Sequence, residues 1–166
     1  MPINGRSIAE LPAAAKRLTL HIHLYIYIKL HQYTLPKTER LYLRESISDL
    51  FANGASFTAF PYRVVYIVKD EAEDNNTPSA DRQGRCAIMA IAPKKRFKHA
   101  VDRNRVKRLT REAYRLQKLP LLAKLEENNK KMEVAFLYVD NKHISFDETY
   151  AIIGRAINRL IRSVNS

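Results

Sequence analysis

Two apolar strand patterns enclose a long helical pattern, and this order constrains the fold more than any other feature of the chain. Residues 86–92 form an apolar run ended by Pro93, short enough for a buried strand. A helical pattern then spans residues 100–118, and residues 121–131 either extend it or form a second helical turn. Residues 133–139 alternate as a strand does. This strand–helix–strand unit predicts a sheet with helices packed on it.

Shorter patterns complete the predicted fold. A first helix is expected to open at Pro36 and Thr38 and to close at Gly54. Residues 56–68 predict a short strand and a longer one, broken by Pro61, and Ser145 begins a last helix with capping-box spacing. The prediction is therefore an α+β fold, a single mixed β-sheet packed with helices in the order α-β-β-β-α-β-α. The first helix has this apolar face: Leu43, Ile47, Leu50 and Phe51.

The first 34 residues differ from the rest of the chain. Between Leu18 and Leu30 every even position is Leu or Ile, which is the period of a half-buried strand. Three interpretations stay open: an accessory strand, a poorly ordered extension, or a segment that precedes the true start of translation near Thr34. We therefore predict an N-terminal extension over residues 1–34 and one folded domain over residues 35–166.

Composition excludes several classes of protein. Cys86 is the one cysteine, so neither an intrachain disulfide framework nor a cysteine zinc site can form, and a cytoplasmic setting is expected. The apolar run at residues 18–30 contains His21, His23 and Lys29 and is well short of the roughly 20 residues that a membrane span needs. The acidic residues between Asp70 and Asp74 lie beside Asn and Pro and indicate a solvated turn, so no metal site is predicted.

Most of the net charge of +12 lies in one segment. Residues 93–118 contain eleven Lys and Arg against Asp102 and Glu112, which gives +9. On a helical projection Val106, Leu109, Ala113 and Leu116 form the expected core side, and Arg103, Lys107, Arg111 and Arg115 form a row at i, i+4 spacing on the far side, near Asn104 and Arg108. An ordinary solvated face is the plain alternative, but like charges at this spacing repel unless an anion compensates them. The pattern therefore favours RNA or DNA binding.

The same segment resembles the signature of the bacterial ribonuclease P protein component. The shared features are Lys94-Lys95, Ala100-Val101, Arg103-Asn104-Arg105, Lys107-Arg108 and Arg111-Glu112, in this order and spacing. A weaker resemblance extends from about Leu35 to Ser163, including Arg40-Leu41, and does not cover residues 1–34. The resemblance implies a compact sandwich in which the basic helix lies in a left-handed crossover between two parallel strands.

The resemblance also implies a function. It predicts the protein subunit of a ribonucleoprotein endoribonuclease that removes the 5′ leader from precursor tRNA, with the phosphodiester hydrolysis performed by the RNA subunit and its bound Mg²⁺. The implied partners are the catalytic RNA and precursor tRNA, not DNA or a membrane, and no catalytic residue is expected in the protein. The predicted RNA-binding residues are Lys94, Lys95, Lys98, Arg103, Asn104, Arg105, Lys107, Arg108, Arg111 and Arg115.

A second surface implied by the resemblance is a cleft between the sheet and the helices that holds the single-stranded leader. The matching positions are Phe51 and Tyr66, whose rings could stack on unpaired bases. The plain alternative is that Phe51 belongs to the core and that Tyr66 is merely half buried. Ile47 stands where the family often has phenylalanine.

A second class of function stays open from the residues alone. A structural RNA-binding protein, such as a ribosomal protein with no role in cleavage, would have the same charge and composition. An autonomous nuclease is not indicated, because it would need carboxylates or histidines that converge on a metal ion, and the sequence shows no such set. Only the signature therefore favours the ribonuclease P subunit over a structural RNA-binding protein.

Overall fold

A computed structural model describes residues 33–70 and 84–164 of the chain. The chain divides into two units, Met1–Thr34 and Leu35–Ser166, and only the last two residues of the first unit are described. The predicted strand at residues 18–30 and most of the acidic loop after Asp70 therefore lie outside the described residues.

The described part of Leu35–Ser166 contains four strands and four α-helices. The strands are β1 (Ala55–Ala59), β2 (Tyr62–Asp70), β3 (Cys86–Ile91) and β4 (Lys130–Tyr138), and the helices are α1 (Arg44–Asn53), α2 (Ala100–Gln117), α3 (Leu119–Glu127) and α4 (Phe146–Ser163). The sheet order is β1-β2-β4-β3, with β3 and β4 parallel and the other pairs antiparallel. The predicted α+β fold with one mixed sheet is confirmed.

The two faces of the sheet pack against different helices. Val64 of β2 and Val134 and Phe136 of β4 belong to the larger core cluster, which also takes in buried side chains of α2, α3 and α4. Val65 and Ala135, one position along, point to the other face and pack with Leu50 of α1. This alternation is the two-residue period of a strand, and it makes β4 buried on both sides.

The first helix begins later than the sequence pattern predicts. Pro36 and Thr38 do not open it, because Lys37–Glu39 form a short 3-10 turn and α1 starts only at Arg44. Between them the chain runs beside the edge of the sheet: Arg40 bridges to Ile88 of β3, and the Leu41 N–H donates to the Ile88 carbonyl at 2.8 Å. The backbone donor of Leu41 is thus committed to β3, which delays the helix.

The joint between α2 and α3 settles whether the helical pattern continues. Pro120 lies in the first turn of α3, where its missing N–H costs no hydrogen bond, so α3 is a separate helix. At the joint Lys118 is only 2% exposed, and its ammonium group lies 2.5 Å from a carboxylate oxygen of Glu39. This pair ties the end of α2 to the segment that enters the domain.

The last helix agrees with its sequence signals. The Ser145 side chain accepts from the Glu148 N–H, and the Glu148 carboxylate accepts from the Ser145 N–H, so the predicted capping box is present. Along α4, Ile153, Ile157 and Leu160 are buried against the sheet side. The opposite side of α4 is left to solvent.

The buried pair of Glu39 and Lys118 gives a stability prediction. Glu39→Gln leaves the buried ammonium group without this carboxylate and should lower the free energy of unfolding by about 3–5 kcal/mol. Urea unfolding at neutral pH measures the change. Adding Lys118→Met removes the buried charge itself and should recover part of the loss, whereas a loss well under about 1 kcal/mol for Glu39→Gln would contradict this role of the pair.

Candidate nucleic-acid interface

Helix α2 is rotated relative to the face that the sequence predicts. Val106 and Ala113 are buried as expected, but Thr110 and Tyr114 complete the buried side, while Leu109 and Leu116 are only partly buried. Thr110 can be buried because its hydroxyl donates to the Val106 carbonyl at 2.8 Å and lies 2.9 Å from the Tyr62 hydroxyl. The predicted core side is therefore wrong by somewhat less than a quarter of a turn.

The rotation changes which basic residues face solvent. Lys107 and Arg103, from the predicted row, are only partly exposed. None of the exposed cations on α2 makes an ion pair with a carboxylate among the described residues. We call the following exposed residues, with the partly exposed Leu109, the α2 face: Val101, Asn104, Arg105, Arg108 and Arg111.

Arg103 is used inside the protein. Its Nη1 donates to the Phe97 carbonyl at 2.9 Å and to the Lys98 carbonyl at 2.6 Å. These two bonds hold the turn that precedes α2, so the guanidinium positions this turn and has fewer donors left for a phosphate group. Arg103 therefore positions this turn, and its direct contact with RNA stays a prediction.

The turn itself presents lysines to solvent at the start of α2. Phe97 is buried, with its ring 5.6 Å from that of Tyr138 and stacked on His143 at 4.8 Å. The side chains around this anchor are exposed: Lys94, Lys95, Arg96 and Lys98. His143 Nε2 also lies 3.2 Å from Asp102 Oδ1. An anchored turn with outward lysines next to a helix N-terminus is suited to bind anions.

Arg115, the last member of the predicted row, is partly neutralised. It forms an ion pair with Glu112 at 2.6 Å. Hydrogen bonding to Arg115 lowers the pKa of the Glu112 carboxyl, and the same contact raises the pKa of the guanidinium. Its charge therefore adds less to the surface than that of Arg108 or Arg111.

Two adjoining grooves run along α2. One is lined by Val101, Asn104, Arg105, Arg108 and Leu109. The second shares Arg108 and Leu109 with it and adds Leu35, Arg40, Arg111, Glu112 and Arg115. Arg40 is absent from the predicted binding residues, and only its place in the weaker part of the resemblance could have suggested it. The grooves are lined by cationic side chains and by apolar ones, among them Leu35 and Leu109. This combination suits a sugar–phosphate chain.

The two predicted leader-contacting rings do not come together. Phe51 is 47% exposed on α1, whose neighbouring Leu50 packs on the Val65 and Ala135 face of the sheet. Tyr66 belongs to the opposite face, where its ring lies 5.9 Å from that of Phe57. The prediction that they line one cleft is corrected, because Tyr66 and Val65 are adjacent in a strand and point to opposite sides.

Residues 33–70 and 84–164 contain no group of three or more His, Cys, Asp or Glu side chains that could hold a metal ion. Within the same residues, no helix is both long and apolar enough to cross a bilayer.

Comparison with known proteins identifies the family. The family model for ribonuclease P matches residues 35–161. Relatives named ribonuclease P protein component, from two strains of Porphyromonas gingivalis, are 37% identical to the chain over 132 residues, which cover 80% of this chain and 90% of each relative. A further relative of that name, from Chlorobium phaeobacteroides, is 28% identical over 148 residues, covering 86% of this chain and 96% of the relative. The chain belongs to the ribonuclease P protein component family, as its signature predicts.

Proposed function

We propose that the chain binds the catalytic RNA of ribonuclease P through the α2 face and through the turn before α2, which carries Lys94, Lys95 and Lys98. This binding promotes removal of the 5′ leader from precursor tRNA. Family membership makes it the protein subunit of ribonuclease P in tRNA processing, and the endoribonuclease activity belongs to the holoenzyme. The observation that carries the proposal is the uncompensated charge of Arg105, Arg108 and Arg111 on one exposed surface. We place the functional domain at residues 35–166 and the complex in the cytoplasm.

Electrostatics explains what such a subunit contributes. A catalytic RNA and a precursor tRNA are both polyanions, so their association is opposed by repulsion that cations must screen. A protein with a net charge of +12 supplies part of that countercharge at a fixed place. In this proposal Mg²⁺ is held mainly by the RNA, and the protein lowers the concentration of Mg²⁺ that assembly requires.

The leader path is proposed on the α1 side of the sheet. Phe51 is exposed there, and the partly exposed side chains Ile67, Met89 and Ile91 continue the apolar surface around the small core cluster. An exposed aromatic ring beside an apolar sheet face can stack on unpaired bases without sequence preference. Ile47 packs on the same cluster and offers no ring, so Phe51 is the stacking residue of α1 in this arrangement.

Reconstitution tests whether the chain promotes cleavage. The purified chain with its cognate catalytic RNA should accelerate leader removal from precursor tRNA at low Mg²⁺, where the RNA alone is slow, because the protein supplies part of the countercharge. The chain without the RNA should not cleave. Binding without any stimulation would instead show a structural RNA-binding protein with no role in cleavage.

Neutralising the α2 face tests the interface. Arg105→Gln, Arg108→Gln and Arg111→Gln together should weaken binding to the catalytic RNA and make the slope of log Kd against log salt shallower by about two, at ~0.7 per contact. Fluorescence anisotropy at several salt concentrations gives the slope. Arg44→Gln, Arg63→Gln and Lys124→Gln remove three charges elsewhere and serve as the matched control. Equal slopes in both triple variants would show that the α2 face is not the RNA-binding surface.

A further inference from the structure

A second arginine surface lies on α4, apart from the α2 face. The half of α4 nearer the C-terminus carries Arg155, Arg159 and Arg162, all exposed, and no acidic residue. Among the described residues none of the three forms an ion pair or a hydrogen bond. Spacings of four and three residues place them along one side of the helix.

The helix dipole does not account for this surface. A cation near the C-terminus of a helix is stabilised by the carbonyl groups of the last turn, and the effect fades beyond that turn. It explains Arg162 but leaves Arg155, two turns earlier, without a compensating partner. Three uncompensated arginines side by side repel one another, so an external anion is the simplest source of countercharge.

One of these arginines is held in place by an aromatic ring. The Arg159 guanidinium lies 4.5 Å from the centre of the Phe57 ring, within the range of a cation–π contact. No N–H group of Arg159 forms a hydrogen bond among the described residues, so these donors stay available to a ligand. The Phe57 ring in turn meets the Tyr66 ring edge-on at 5.9 Å. A guanidinium fixed in this way loses less entropy when it binds a phosphate group.

A groove joins the arginines to Tyr66. It has a volume of about 640 Å³ and is lined by Tyr66, Arg155, Asn158, Arg159, Arg162 and Ser163. Tyr66 lies on β2, beside the edge strand β1, and is only half buried. The groove shares no residue with the two grooves along α2.

We propose that this groove binds an unpaired RNA strand, with phosphate groups on Arg155, Arg159 and Arg162 and a base against the Tyr66 ring. The proposal rests on the proposed function, because it takes the RNA partner from there. Arginines beside an aromatic ring are the usual means of holding single strands without sequence preference. A duplex fits less well, since its bases are stacked internally and cannot reach a ring in a groove.

Binding of an oligouridylate of about ten nucleotides tests the groove, because this probe forms little secondary structure. The chain with Arg105→Gln, Arg108→Gln and Arg111→Gln serves as the background, so that the α2 face does not dominate. Adding Arg155→Gln and Arg162→Gln should make the salt slope of binding shallower by about 1.4. Arg155→Lys with Arg162→Lys keeps the charge and should restore the slope, and Arg44→Gln with Lys124→Gln is the matched control.

Tyr66 provides an independent readout. Tyr66→Leu should weaken oligouridylate binding roughly fivefold or more, and Tyr66→Phe, which keeps the ring, should not. Arg155 and Arg162 are exposed, and their substitution leaves the contact of Arg159 with Phe57 intact. The two double arginine variants, to Gln and to Lys, should therefore fold. Thermal unfolding of each variant checks this.

Binding assays with the assembled holoenzyme distinguish two sources of the bound strand, the leader of precursor tRNA and the catalytic RNA. If Arg155→Gln with Arg162→Gln weakens binding of precursor tRNA with a long leader but not with a one-nucleotide leader, the strand is the leader. If it weakens binding of the catalytic RNA without substrate, the strand belongs to that RNA. Unchanged binding in both assays and with oligouridylate overturns the groove proposal, and the function survives as long as reconstitution still stimulates cleavage.

Discussion

Burial of one side of α2 in the core fixes the position of the α2 face, and the proposed RNA interface depends on it. Like charges three or four residues apart destabilise a helix by a few tenths of a kcal/mol per pair. Burying an apolar side chain such as Val106 contributes roughly 1.5–3 kcal/mol. Packing therefore outweighs repulsion, and the sheet can hold a helix whose other side carries Arg105, Arg108 and Arg111. Without that anchor the positive charge would have no fixed geometry to offer an RNA.

Strand and helix order could be predicted because it rests on local pattern, but the rotation of α2 could not. Leu109 and Leu116 are more apolar than Thr110, so a projection of the sequence alone places them in the core. The structure buries Thr110 because the Tyr62 hydroxyl, 48 residues away in the chain, forms a hydrogen bond with it. Contacts between distant residues decide such rotations, and a periodicity within one helix does not contain them.

In the candidate site too, some features could be predicted from the sequence and others needed the positions of distant residues. The exposure of the lysines of the turn and of Arg108 could be predicted from the sequence, because charged side chains in such patterns usually face solvent. Their contact with RNA stays a prediction. The inward role of Arg103 required the positions of the Phe97 and Lys98 carbonyls. Tyr66 lies with Tyr62 and Val64 on one side of β2, as the two-residue period of a strand requires. Which helix covers that side depends on the sheet order, so the separation of Tyr66 from Phe51 became visible only in the fold.

A proximity measurement from the α2 face tests directly whether this face lies against the catalytic RNA. Cys86 is fully buried, and burial raises its thiol pKa to about 12, so it should not react with a thiol reagent. Asn104→Cys then provides an accessible thiol for an iron chelate that cleaves nearby RNA, with Lys124→Cys as the control position. If the α2 face lies against the catalytic RNA, the chelate at residue 104 should cut that RNA at discrete positions and the chelate at residue 124 should not. Cleavage from residue 124 alone would show that the RNA binds elsewhere.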